Sequence, residues 1–163
     1  MITWAMFRKG EKVVYPRHGA GKIETIYTQE LNNKKLKYYK IKFVDSKVSV
    51  SIPVNNAEEL GLRKPLSKRK IRYALKKLYK RVKINRKTLM NLDTTSKDKL
   101  GSGKFEDVID LVNTLKSLAK QKEEENKNFS YSYSDRLEIA EDFIKSEVEI
   151  VLGKNLLKRY DLF

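Results

Sequence analysis

Val13-Val14-Tyr15-Pro16-Arg17-His18-Gly19-Ala20-Gly21 is the stretch that decides the fold. Two β-branched residues and a tyrosine run into a proline, and two glycines follow closely. Proline holds φ near about −65° and suits the first position of a turn, while glycine accepts the positive φ that tight turns demand. A strand that turns and leaves at once as a second strand opens a small barrel.

Residues 10–54 on either side of this stretch read as further short strands. Val13 and Tyr15 alternate with polar neighbours, as do Ile23, Thr25 and Tyr27. Leu36 to Phe43 is rich in aromatic and β-branched residues, and Val48, Val50, Ile52 and Val54 alternate strictly. Asn32-Asn33-Lys34 and Asp45-Ser46-Lys47 supply hairpin turns. About five short strands in this length predict an SH3- or Tudor-like barrel. On such half-buried strands Tyr38, Tyr39 and Phe43 read first as core and cross-strand packing.

Beyond residue 63 the period changes. Ile71, Ala74, Leu75, Leu78 and Val82 follow helical spacing behind Pro65 and a Ser67 N-cap. A weaker helical segment spans about Lys87 to Leu100. Phe105, Val108, Ile109, Val112, Leu115 and Ala119 define a third helix, which runs out toward Asn126. Ser130-Tyr131-Ser132-Tyr133-Ser134 reads as a capping-rich loop. A fourth helix uses Leu137, Ala140, Ile144, Val148 and Val151, with Gly153 as its C′ residue. The expected class is α+β: a Tudor-like barrel over residues 6–63, then a basic all-α bundle over 64–163, with Met1–Ala5 a short extension.

Composition narrows the function. The 163-residue chain has no cysteine, which removes disulfides and thiol chemistry, and no apolar run long enough to span a membrane. It begins without a secretory-signal pattern, which fits a cytoplasmic protein. Net charge is +15, unevenly placed: about +6 over residues 1–63, +13 over 64–104 and −4 over 105–163. A lysine-rich proteome explains lysine in place of arginine, but not the near-absence of acids from the middle segment. That asymmetry is the footprint of a polyanion, nucleic acid first and an acidic protein second. The basic face carries Lys68, Arg69, Arg72, Lys76, Lys80 and Lys83.

No catalytic constellation is visible. Leu100-Gly101-Ser102-Gly103-Lys104 lacks phosphate-loop spacing and reads as a helix–helix turn. His18 is the only histidine and sits in a turn without metal or triad partners. Glu123-Glu124-Glu125 and Glu138, Glu141 and Asp142 read as solvated helix faces. The expectation is a non-enzyme with no cofactor and no metal.

The opening stretch resembles the opening motif of the CarD/CdnL/TRCF family of bacterial RNA-polymerase-binding proteins. Ile52-Pro53-Val54-Asn55-Asn56-Ala57-Glu58-Glu59-Leu60-Gly61-Leu62-Arg63 is similar to the pattern that closes that family's amino-terminal domain. The resemblance implies a Tudor-like domain that docks on the polymerase β subunit, here with Gln29, Leu31, Tyr39 and Ser51 at the contact. Gln29 and Ser51 stand where relatives commonly carry arginine. It also implies a helical domain on promoter DNA at the upstream edge of the melted region. Aligning Lys99-Leu100-Gly101-Ser102-Gly103 with the family's similar turn puts the family's tryptophan wedge at Leu89-Met90; the sole tryptophan, Trp4, lies outside the domain. Asn91-Leu92 takes the place of an arginine pair, which leaves phosphate contact to Arg81, Lys83, Arg86 and Lys87 beside Arg69, Arg72, Lys76 and Lys80. The alternative for Leu89 and Leu92 is burial in the bundle. The leading expectation is thus a nucleoid-associated, monomeric regulator bridging polymerase and promoter DNA. The other is an architectural nucleic-acid-binding protein that does not engage polymerase. A motor of the repair-coupling kind would need a Walker motif, and none occurs.

Overall fold

Asn32 and Asn33 both take positive φ, 50° and 60°, the backbone of a two-residue hairpin turn that asparagine tolerates. Leu31 therefore pairs with Lys34, and the register runs down both strands from there. The computed structural model of the chain describes residues 6–159; Trp4, the rest of the expected extension and the last four residues lie outside the described residues. Four antiparallel strands, β1 (Lys12–Tyr15), β2 (Gly19–Leu31), β3 (Lys34–Phe43) and β4 (Ser49–Pro53), lie in that order. Ile23 pairs with Ile41 but Thr25 with Lys40, so Glu24 is an extra residue in β2. Such a bulge bends the strand and adds twist, in keeping with a sheet curled into a half-barrel. Phe7, Val13, Ile23, Tyr39, Ile41, Phe43 and Ile52 fill the concave side.

The expectation of about five short strands is corrected to four, two of them long at 13 and 10 residues. The place of a fifth is taken by a single bridge. Val14 N–H donates to Arg63 O at 2.8 Å, and Arg63 N–H donates to Val14 O at 3.0 Å. The α+β class stands.

Among the described residues five helices follow: α1 (Lys68–Leu75), α2 (Arg86–Ser102), α3 (Phe105–Glu124), α4 (Tyr131–Leu152) and α5 (Lys154–Arg159). The first is shorter than its periodicity predicts. Lys76, Lys77 and Leu78 make i→i−3 bonds, and Tyr79 at φ 61° ends the coil. Leu78 still packs against the core, joined by Ile84 in place of the expected Val82, but from an irregular segment. Ser130 is the N-cap residue of α4, and Tyr131 to Ser134 are its first turn rather than a loop. Helix α5, which brings Leu157 under cover, had no periodic signal.

The opening motif is also where sheet meets helices. Val14 and Ala20 belong to the helical core with Phe105, Val112, Phe143 and Ile144. Ala20 N–H donates to Ser146 Oγ at 2.9 Å, and that hydroxyl donates to Phe143 O at 2.8 Å. Pro16 packs between two glycine backbones; a Cβ on Gly61 or Gly103 would stand 2.6 or 2.8 Å from its Cγ. No helix among the described residues is long and apolar enough to cross a membrane.

Candidate functional site

Helix α1 begins where Ser67 Oγ accepts from Lys70 N–H at 3.3 Å, and it buries Ile71, Ala74 and Leu75. That choice of buried face turns Lys68, Arg69, Arg72 and Lys76 to solvent. After the Tyr79 break, the chain is strapped to α3: Asn113 Nδ2 donates to Lys77 O at 2.7 Å, and Val82 N–H to Ser117 Oγ at 2.9 Å. Lys80, Arg81 and Lys83 are exposed along this strap. Asn85 Oδ1 then accepts from Thr88 N–H at 2.8 Å and starts α2, placing Arg86 and Lys87 in its exposed first turn.

These cations lie against electrostatic preference. A helix amino terminus carries partial positive charge and favours acids. Helix α3 obeys, with Glu106 and Asp107 in its first turn. Helices α1 and α2 invert the rule, with Lys68, Arg69 and Lys70, and Arg86 and Lys87, and no acid in either first turn. The sequence holds no acid from Lys64 to Leu92, against twelve cations. Among the described residues only two of the twelve reach a carboxylate, Lys77 to Glu106 at 3.9 Å and Arg81 to Glu124 at 3.7 Å. Both are long, exposed pairs of the kind worth little. Arg69, Arg72 and Lys76 of this run line a groove of about 1390 Å³ between α1 and the start of α3, together with Lys104, the acids Glu106 and Asp107, and Arg63, which is paired with Glu147. Tyr73, which periodicity alone does not single out, stands in the same groove with 61% of its surface exposed. Its signal was its place: off the apolar face, inside the basic run.

Leu89 and Met90 are 40% and 76% exposed, whereas Leu92 is 1% exposed. Burial in the bundle is therefore corrected for Leu89 and holds for Leu92. Helix α2 turns Leu92, Ser96 and Leu100 inward, a single narrow stripe that leaves both earlier residues outside.

The register also sorts the residues expected at a protein contact. Residues directly opposite in a sheet share a face, and the face alternates along each strand. Tyr27 opposes Tyr38, Gln29 opposes Leu36, Leu31 opposes Lys34, and Lys40 opposes Ser51. Gln29, Leu31 and Ser51 thus share the outer face with Tyr27 and Tyr38, whose rings stack at 5.6 Å. Tyr27 Oη donates to Ser51 Oγ at 2.9 Å and ties that face together. Tyr39 is corrected: it is fully buried on the other face, edge-on to Phe7, with its hydroxyl accepting from Phe7 N–H at 3.1 Å. Its side chain is core, as the packing alternative had it.

His18 stacks between Tyr15 and Phe43, at 5.6 and 5.1 Å. Burial, and then Arg17, holds its imidazole below the ordinary value. Burial raises the carboxyls of Glu141 and Asp142 above theirs, with Glu138 adding repulsion to both. Among the described residues no three acids or histidines converge as a metal site.

Residues 7–66 match the family model of the CarD-like/TRCF RID domain. The chain is also similar to "Putative transcription factor YdeB" of Bacillus subtilis (strain 168), 27% identical over 152 residues, covering 91% of this chain and 94% of that protein. The resemblance carried by the segments 13–21 and 52–63 is borne out, and the sheet module is a domain of the CarD-like type.

Proposed function

We propose that this chain, built on a CarD-like domain, is a non-enzymatic transcription regulator that docks on the RNA polymerase β subunit and contacts promoter DNA. The observation that carries the reading is the run of uncompensated cations from Lys64 to Leu92, next to a domain of a polymerase-binding family. Regulation of transcription also agrees with the description of the relative. The sheet module, residues 6–63, presents Gln29, Leu31 and Ser51 to polymerase. The helical module, residues 64–163, presents Arg69, Arg72, Lys76, Lys80, Arg81, Lys83, Arg86 and Lys87 to phosphates, with Leu89 and Met90 as apolar wedges. Leucine and methionine serve as wedges where a minor groove is distorted.

The mechanism is differential binding. Contacts that exist only when promoter DNA is bent or opened stabilise that state relative to the closed one. The buried joint at Pro16, Ala20 and Arg63 gives the mechanism its stiffness, because it holds the two contact surfaces at a set distance. No chemical step is needed.

Co-purification of the tagged full chain with RNA polymerase, with and without nuclease, tests the proposal. Recovery that survives nuclease supports docking on the enzyme. Recovery lost entirely with nucleic acid favours the architectural reading, which the neutral Gln29 and Ser51 support at positions where relatives carry arginine.

A further inference from the structure

Tyr73 is the one large aromatic side chain that lines the basic groove while lying mostly open to solvent. Helix α1 reaches the core through Ile71, Ala74 and Leu75, so the Tyr73 ring has no part in anchoring it. Arg69, Arg72, Lys76 and Lys104 line the groove with it. Lys77 Nζ stands over the ring, 5.5 Å from its centroid, and is also 3.9 Å from the Glu106 carboxylate. The ring is thus steadied on one face, while 61% of the residue stays exposed to the groove.

We infer that Tyr73 is a stacking platform for an unpaired nucleobase, and that the groove between α1 and the start of α3 takes a single-stranded nucleic-acid segment. The inference rests on the nucleic-acid reading above and narrows it. In a duplex each base face is covered by its neighbours, and only base edges, sugars and phosphates are offered. An aromatic ring set inside a concave groove meets a free π-face only where the strand is unpaired. Surrounding cations attract the backbone whatever its sequence, and their share of affinity falls with salt. The ring supplies a share that carries no charge. An open groove of about 1390 Å³ exceeds the roughly 300–1,000 Å³ of a small-ligand pocket, and its lining, in which cations outnumber the two acids Glu106 and Asp107, suits a polymer strand better than one small anion.

The test uses the full chain and three DNA probes of equal length: intact duplex, duplex with a central unpaired bubble, and single strand. The latter two carry 2-aminopurine in the unpaired stretch. Wild type is expected to quench the probe. Tyr73→Ala is expected to lose the quench and to bind both unpaired probes roughly 5- to 150-fold more weakly, the equivalent of about 1–3 kcal/mol per stacked base. Its affinity for intact duplex and its salt slope stay within about twofold and about one unit of wild type, because no charge is removed. Tyr73→Phe keeps the ring and stays close to wild type on all three. Equal losses on duplex and unpaired DNA, no loss on unpaired DNA, or failure of the Phe variant alongside the Ala variant each overturns the inference. Wild type binding no DNA at all removes the DNA half of the proposed function too. Normal duplex binding with no selective effect of Tyr73→Ala removes the stacking role alone.

Discussion

Arg63 grips the Glu147 carboxylate with both prongs of its guanidinium, Nη1 to Oε1 at 2.6 Å and Nη2 to Oε2 at 2.8 Å. The acid is wholly buried and also accepts from Leu66 N–H at 3.0 Å, while Arg63 Nε donates to Gly103 O at 2.9 Å. Sheet, linker, α2–α3 turn and α4 thus meet on one ion pair. Removing Glu147 leaves a partly buried guanidinium uncompensated and the Leu66 N–H without its acceptor. Glu147→Ala should therefore lose about 3–5 kcal/mol of stability in urea denaturation. A loss under about 1 kcal/mol would show that the joint is held by apolar packing alone.

Two glycines with the same backbone angle separate strain from close packing. Gly10 and Gly19 both sit at φ 86°, but a Cβ on Gly10 meets nothing, whereas one on Gly19 runs into the Ser146 side chain. Gly10→Ala should cost only the left-handed strain of about 1–2 kcal/mol. Gly19→Ala should cost a further 1–3 kcal/mol or so, since Ser146 must move and leave Ala20 N–H unpaired. Equal denaturation midpoints for the two variants would contradict the docking of α4 on this turn.

Helix α2 offers a similar contrast. Leu92→Ala should lose about 2–5 kcal/mol as a core truncation, while Leu89→Ala and Met90→Ala should stay within about 1 kcal/mol of wild type as exposed positions. If the exposed pair is a wedge, these two variants bind bubble DNA more weakly than wild type while binding intact duplex normally. Unchanged bubble binding in both would remove the wedge.

The lowered imidazole of His18 sets the sign of one contribution to the pH dependence of stability. Its folded-state value lies below the ordinary 6.5, so on acidification the unfolded chain takes the proton first. The stabilisation is full above about pH 6.5 and is lost as pH falls through the lowered folded value. Glu141 and Asp142, shifted upward, act in the opposite sense, so the comparison must be with a variant. His18→Phe keeps an aromatic between Tyr15 and Phe43 and should remove part of the fall in stability between about pH 7 and pH 5. Identical pH profiles for the two proteins would place the titration elsewhere.

Four strands, their turns and four of the five described helices were legible because period-two and helical patterns are local and each has an end signal, such as Asn32-Asn33, Ser67 or Gly153. The end of α1 was not legible. Leu78 and Val82 keep helical spacing, and what breaks the helix is tertiary: Asn113 and Ser117 on α3 claim the backbone of Lys77 and Val82. The second role of the opening motif was hidden for the same reason, since its partners Gly103 and Ser146 are distant in sequence. Charge placement was legible; the concavity that gathers Tyr73 with the cations depends on how α1 meets α3.

Bridging is tested most directly by the affinity of the full chain for purified RNA polymerase, alone and in complex with promoter DNA, across a salt series. Binding should be tighter to the complex than to the enzyme. With about six to eight phosphates contacted, the DNA-dependent part should fall with log salt at a slope of roughly −5 to −7. Neutralising Lys76, Lys80 and Lys83 together should reduce that slope by about 3 and leave binding to polymerase alone unchanged. Equal affinity with and without promoter DNA, at every salt concentration, would contradict the account.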